Sequence, residues 1–295
     1  MIYLTGASGF VGRNLLTELI GSGRRIRALI LPDDVAPIDH PDVEWIRGDV
    51  RRIDSLERHL DDVEIVIHNA GIVASPDEQL NHEVNYIGTR NIVESAKLAR
   101  IKKLIFVSAA AVKFKQLNAY GKSKKMAEEL VASSGLPSVI LRLPLIIGRG
   151  SYEFDQFVKY VNTLPFVVPV FGDGKAIKRP VHISDVVHAL VVLIDKDEAI
   201  GKIYEVSCRE RITLDEFIDA VCERLDKKKI KLHIPLGLSL FMAQVAEGVM
   251  GKRSPITQDI LLGMNEDVEF DVEEALKELK LEPLTVENAL RTTLS

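Results

Sequence analysis

Apolar positions along this chain change their spacing at regular intervals. Short runs that are apolar nearly throughout, such as Ile65-Val66-Ile67 and Leu104-Ile105-Phe106-Val107, mark strands covered on both faces. Strand-like runs occupy residues 2–5, 26–31, 43–47, 64–68, 103–108, 138–143 and 203–206. Between them apolar residues recur at helical spacing near 10–22, 53–60, 83–99, 119–134, 153–163, 184–195 and 213–225. In the first of these, Val11, Leu15, Leu16, Leu19 and Ile20 share one stripe. Repeated strand–helix units with right-handed crossovers predict an α/β fold, a doubly wound parallel sheet of the Rossmann kind.

After about residue 165 the pattern weakens. Residues 166–180 hold prolines, glycines and one short apolar run. Residues 181–194 read as a strand end feeding a helix, with Ser184 as N-cap and Asp185 in the first turn. From 211 onward the chain is mostly helical, and Thr213-Leu214-Asp215-Glu216 resembles a capping box. Leu236–Met250 is an apolar-rich helix that either packs between domains or receives a partner. The expected division is a dinucleotide-binding domain of residues 1–165 with 181–210, and a smaller, mostly helical C-terminal substrate lobe of 166–180 with 211–295. A cleft between them, over the carboxyl ends of the strands, is where a substrate would sit.

Composition narrows the class. The 295 residues carry a net charge of −5, which argues against a nucleic-acid partner. One basic cluster, Lys227-Lys228-Lys229-Ile230-Lys231, reads as a solvated helix end, with an anionic ligand or a membrane as the other reading. Cys208 and Cys222 are too few for a disulfide framework, the histidines are scattered, and no metal is expected. The first strand begins at residue 2 and no apolar stretch reaches spanning length, so a soluble, cytoplasmic protein without a membrane span is expected.

Two constellations carry chemistry. Thr5-Gly6-Ala7-Ser8-Gly9-Phe10-Val11-Gly12 lies between the first strand and the first helix. Gly6 permits the tight turn, Gly9 lets backbone approach a pyrophosphate, and Gly12 lets the helix pack on the strand. The free N–H groups of the helix N-terminus suit the phosphates. The second constellation is Tyr120-Gly121-Lys122-Ser123-Lys124, opening the helix after the fifth strand. Tyr120 and Lys124 share a helix face. An ammonium beside a phenol lowers the phenol's pKa, making it usable as a general acid/base.

Together these motifs resemble the short-chain dehydrogenase/reductase superfamily, in its extended or atypical, epimerase/dehydratase-like branch. The resemblance also runs through Gly48-Asp49-Val50, His68-Asn69-Ala70-Gly71, Asn85-Tyr86-Ile87-Gly88-Thr89, Arg142-Leu143-Pro144 to Gly148, and Arg179-Pro180-Val181-His182-Ile183-Ser184-Asp185-Val186. It covers residues 1–210 well and the tail loosely. Leu164-Pro165 through Asp185 looks most like the group containing the dehydrogenase-like accessory subunit of respiratory complex I, some members of which have lost catalysis.

The resemblance implies roles by position. Gly6, Ser8, Gly9, Phe10, Val11 and Gly12 would hold the dinucleotide. Asp49 and Val50 would contact the adenine, and Asn69, Ala70 and Gly71 would line the wall beside the cofactor. Pro144 and Leu145 would lie near the nicotinamide. Tyr120 would be the acid/base, and Lys124 would hold the nicotinamide ribose. Asn85 would support the site or simply pack its helix. Where relatives place a substrate-binding Ser or Thr, this chain has Ala109, and Ser108 is the candidate replacement. Alternating side chains along a strand make these two point oppositely. The span from Ala109 to Tyr120 is also short for an enzyme of nucleotide sugars.

The cofactor is NADP or NAD. No acid stands at the end of the second strand, where Ile30-Leu31-Pro32 precede Asp33 and Asp34. Arg13 is placed to reach a 2′-phosphate, which tilts the reading to NADP. The expected activity is NAD(P)-dependent oxidoreduction or epimerisation of a hydroxyl- or keto-bearing small molecule, a nucleotide-sugar among the candidates. The competing reading is a non-catalytic NAD(P)-binding sensor, scaffold or assembly protein. Family analogy adds a homodimer through helices 83–99 and 119–134.

Overall fold

A computed structural model describes residues 1–73, 75, 77–251, 254 and 257–294. The chain runs β1 (Ile2–Thr5), α1 (Phe10–Leu19), β2 (Ile26–Ile30), β3 (Val43–Arg47), β4 (Ile65–His68), α2 (Glu78–Asn81), α3 (Gly88–Ala99), β5 (Lys103–Ala109), α4 (Ala119–Ser133), β6 (Ser138–Leu143), β7 (Ile146–Ile147) and α5 (Tyr152–Asn162). It continues through β8 (Val167–Phe171), β9 (Ile177–Lys178), β10 (Val181–His182), α6 (Ile183–Asp195), β11 (Ile203–Glu205), β12 (Ile212–Thr213), α7 (Leu214–Arg224), β13 (Ile230–Ile234), α8 (Leu236–Met250), α9 (Gln258–Asn265), α10 (Glu273–Glu278) and α11 (Val286–Thr293).

Seven parallel strands form the central sheet in the order β11-β6-β5-β4-β1-β2-β3. The order reverses between β1 and β4, and that switch point opens a crevice at the strands' carboxyl ends. Side chains alternate across the sheet. Ile2 and Leu4 join the core under α1 and α6, while Tyr3 joins the core under α3 and α4.

Several local features differ from the sequence pattern. Residues 53–60 form two short 3₁₀ turns in place of a helix. Residues 83–99 are not one regular helix, because His82–Ile87 is a wider π-helical stretch. The N-cap of α6 is His182, whose Nδ1 accepts from the Ser184 N–H at 3.2 Å; Ser184 lies inside the helix. The capping box of α7 forms as read, Thr213 and Glu216 satisfying each other's backbone N–H.

The lobe has its own core of α5, α7, α11 and β8 side chains. Its two-stranded pairing of β8 with β13 joins segments about sixty residues apart in sequence. The tail does not stay with it. Val268, Phe270, Val272, Ala275, Leu276, Leu279 and Leu281 pack into the sheet core beside α1 and α6. Residues 268–281 therefore pack with the sheet core rather than with the core of α5, α7, α11 and β8. Arg179 fixes this return, its buried guanidinium donating to the carbonyls of Phe270 (2.5 Å), Cys208 (3.2 Å) and Arg209 (3.0 Å).

Candidate functional site

The glycine turn is built around left-handed backbone at Gly6, with φ of +68°. A Cβ there would lie 2.8 Å from the Ala70 nitrogen, so β1 and β4 exit side by side only because Gly6 has none. At Gly12 a Cβ would strike the Gly6 carbonyl and sit 2.7 Å from Ala7 Cα, which is the close packing of helix on turn. Gly9 is the N-cap of α1 and supplies no side-chain cap, and no acid stands in the first turn. By contrast α4, α5 and α7 are capped by Asn118, Ser151 and Thr213. The α1 N-terminus thus offers N–H groups and a positive dipole end to the crevice, which fits a diphosphate.

The opposite wall is fixed by a buried threonine–histidine chain. Thr5 Oγ1 accepts from the N–H groups of Asn69 (3.2 Å) and Ala70 (3.0 Å). It lies 2.8 Å from His68 Nδ1, and His68 Nε2 lies 3.0 Å from Thr89 Oγ1. The Thr89 hydroxyl donates to the Asn85 carbonyl at 2.5 Å, so His68 carries its proton on Nε2 and receives the Thr5 proton on Nδ1. Burial, with the nearby Lys124, pushes the His68 pKa down to about 3, so the ring is neutral. Asn85 then couples this wall to α4. Its amide oxygen accepts from Ile72 N–H (2.9 Å), and its nitrogen donates to the Ile72 carbonyl (3.1 Å) and to Ser123 Oγ (3.0 Å).

Lys124 is buried at the end of β5. Its ammonium donates to the Val107 carbonyl at 2.6 Å and lies 4.3 Å from the Phe106 ring centroid. Burial pushes its pKa down to about 7, against the pull of Glu128. Tyr120, half-buried one turn earlier, behaves opposite to expectation. Burial, reinforced by the negative charge of Glu153, pushes its pKa up. Desolvation outweighs any help from the lysine, whose ammonium is committed to the strand. Glu153, on the first turn of α5, is itself pushed up to about 7 by burial. The sequence pattern marked it only as helix.

Ser108 is turned under α4, where its hydroxyl donates to Glu128 at 2.7 Å. Glu128 also binds Arg142, and Arg142 reaches Glu205 at 3.0 Å. This places Ser108 in a buried polar network of α4, β6 and β11, with Ala109 as the neighbour of opposite facing.

Just past the end of β3, Asp49 binds Arg51, and Val50 is buried against Gly88. A cavity of about 320 Å³ opens there, lined in part by Pro32, Arg47, Gly48 and Asp49. Two residues redraw the cofactor argument. The Arg13 guanidinium lies against Gly150, in the turn after β7, where a Cβ would sit 3.7 Å from it. Asp34, past the end of β2, reaches back to the glycine turn at Ser8. Pro144 and Leu145 lie between β6 and β7. Among the described residues no group of three His, Cys, Asp or Glu side chains could hold a metal ion.

The chain belongs to the NAD dependent epimerase/dehydratase family, whose model matches residues 2–207. That membership places it among NAD-dependent oxidoreductases and epimerases. It is similar to the ceramide reductase of Caulobacter vibrioides, 31% identical over 192 residues, and the match covers 65% of this chain but only 60% of that protein. It is also similar to the human sterol-4-alpha-carboxylate 3-dehydrogenase, decarboxylating, at 26% identity over 259 residues, 78% of this chain and 68% of that one. The UDP-glucuronic acid 4-epimerase of Bacillus cereus, solved in complex with NAD, superposes with a TM-score of 0.77 at 20% identity, covering 99% of this chain and 97% of the other. At that identity the likeness is one of fold.

Proposed function

We propose that the chain is an NAD-dependent dehydrogenase or ketone reductase acting on a carbinol or carbonyl group of an apolar, lipid-like molecule. The observation that carries this reading is the placement of Tyr120 and Lys124 on one face of α4, with Asn85 tying that helix to the wall at Ile72. A nicotinamide bound in the crevice would accept or deliver the hydride. Tyr120, its hydroxyl held protonated, donates to a ketone oxygen in the reductive direction and is left as the phenolate, and in the other direction that phenolate takes the carbinol proton. With one of its three N–H donors on the Val107 carbonyl, Lys124 would offer the others to the ribose of the cofactor. Ser108, fixed on Glu128, acts through positioning of α4 and β6 rather than by touching substrate.

An apolar substrate fits better than a nucleotide sugar. The two relatives named above by sequence identity act, by their names, on ceramide and on a sterol carboxylate, and the sugar-nucleotide epimerase is alike in fold. Ala109 offers no hydroxyl to a sugar ring. NAD is the proposed cofactor, since Leu31 and Asp34 place no cation where a 2′-phosphate would lie, and Arg47 is committed to the carbonyls of Pro32 and Asp34.

Tyr120→Phe tests the reading, with long-chain hydroxy and keto compounds, sterols and UDP-sugars as the panel. Turnover on the active compound should fall by about 10²–10⁴, while NADH still raises the melting temperature. Undiminished turnover would remove Tyr120 from the chemistry, and activity confined to UDP-sugars would overturn the substrate class.

A further inference from the structure

Helix α8 is apolar on two sides, yet only one is covered. Ser239 and Ala243 face inward, and Ala243 meets Leu261 of α9 and Phe171 of β8. Leu238, Phe241, Met242, Val245 and Val249 fall on an outward arc of about 100°, with Phe241 62% and Val249 82% exposed. A helix that is apolar all round is normally buried in protein or lipid.

The uncovered surface continues onto β13. Ile230, Leu232 and Ile234 share one strand face. Ile234 packs into the small core with Ala243, while Ile230 stays 72% exposed, with Leu232 and the neighbouring Phe166 open as well. The rim is cationic. In a chain of net charge −5, Lys227, Lys228 and Lys229 form the turn that leads into this strand. Lys227 and Lys228 are exposed, and Lys229 donates to the carbonyls of Val161 and Leu164 beside Phe166.

This surface is one helix away from the crevice. Glu247 of α8 holds Gln258 at the start of α9 (3.0 Å), and Asp259 accepts from the Ala119 N–H (3.4 Å), next to Tyr120. At 15 residues α8 is about 22 Å long, too short to cross a bilayer core of about 30 Å.

We propose that α8 and the exposed face of β13 rest in the plane of an anionic membrane leaflet. The apolar arc enters the acyl boundary, and Lys227 and Lys228 meet the phosphate headgroups. The crevice above Tyr120 then opens near the bilayer, where a lipid-like substrate resides.

Flotation of the full-length protein with vesicles of phosphatidylcholine and phosphatidylglycerol (3:1) tests this without cofactor or turnover, so its outcome is separate from that of the redox reading. The native protein should float with these vesicles and less with pure phosphatidylcholine. Phe241→Glu with Val245→Glu should lower partitioning at least tenfold at unchanged melting temperature. Lys227→Glu with Lys228→Glu, which leaves the apolar arc intact, should weaken binding to the anionic vesicles alone. Failure of the folded native protein to float on either vesicle overturns the proposal. So does a dimer in light scattering that the Phe241/Val245 pair converts to a monomer, for then a second copy covers the arc.

Discussion

Ser8 Oγ donates to the Asp34 carboxylate over 2.6 Å, joining the glycine turn to the loop after β2. A carboxylate at that end of the crevice suits a ribose diol and repels a 2′-phosphate. Native protein should therefore bind NAD more tightly than NADP in a fluorescence titration. Asp34→Asn should weaken NAD by about tenfold or more and leave NADP unchanged or improved. Tighter binding of NADP by the native protein would return the assignment to Arg13.

Glu153 gives a pH signature. Its folded pKa near 7 is raised from 4.5. Such a group contributes stability that is fully present below pH 4.5 and is lost as pH rises through about 7. Glu153→Gln should thus gain over the native protein at pH 8, by at most about 3 kcal/mol, and lose that gain by pH 5. Urea midpoints at the two pH values measure it. The same change removes the charge that helps push Tyr120 up, so the basic limb of the reductive pH–rate profile should move to lower pH.

The glycines of the turn should separate folding from binding. Gly12→Ala forces a Cβ against Ala7 and the Gly6 carbonyl, and should cost about 1–3 kcal/mol or more. At Gly9 the nearest atom to an added Cβ is the Gly6 carbonyl at 3.2 Å, so Gly9→Val should stay folded and lose the dinucleotide. Equal melting curves for the two variants would contradict this division.

Thr5→Val keeps the shape of the side chain and removes three hydrogen bonds at once, to His68 and to the Asn69 and Ala70 N–H groups. A loss of at least about 1–3 kcal/mol is expected. Because folding lowers the His68 pKa from 6.5 to about 3, its contribution is full above pH 6.5 and erodes as pH falls toward 3. Native protein should show this acid slope in urea denaturation, and His68→Asn should flatten it.

What the sequence made legible was local and periodic. Each strand of the central sheet falls within a residue of its apolar run, because both faces of those strands are covered and composition alone reveals them. The glycine turn and the Tyr120/Lys124 spacing were readable for the same reason: a few adjacent residues contain the geometry. The pairing of Val167–Phe171 with Ile230–Ile234 was not, since a two-stranded ribbon with Pro169 inside it carries no periodic mark of a partner so distant in the chain. Asp34 was read as lying past the strand end and Glu153 as plain helix, because each acts from a loop or helix end on a residue far away in sequence. The direction of the Tyr120 shift escaped because burial, which no spacing reports, outweighs the neighbouring charge.

The return of residues 268–281 to the sheet also bears on biosynthesis. The flank of α1 and α6 is sealed by Val268, Phe270, Leu276 and Leu279, held there by Arg179. A ribosome that has released only the first 210 residues has therefore delivered every strand of the sheet but left that flank of α1 and α6 uncovered. The nascent sheet and its helices must wait, with apolar surface open to chaperones or aggregation, until residues 268–281 have emerged.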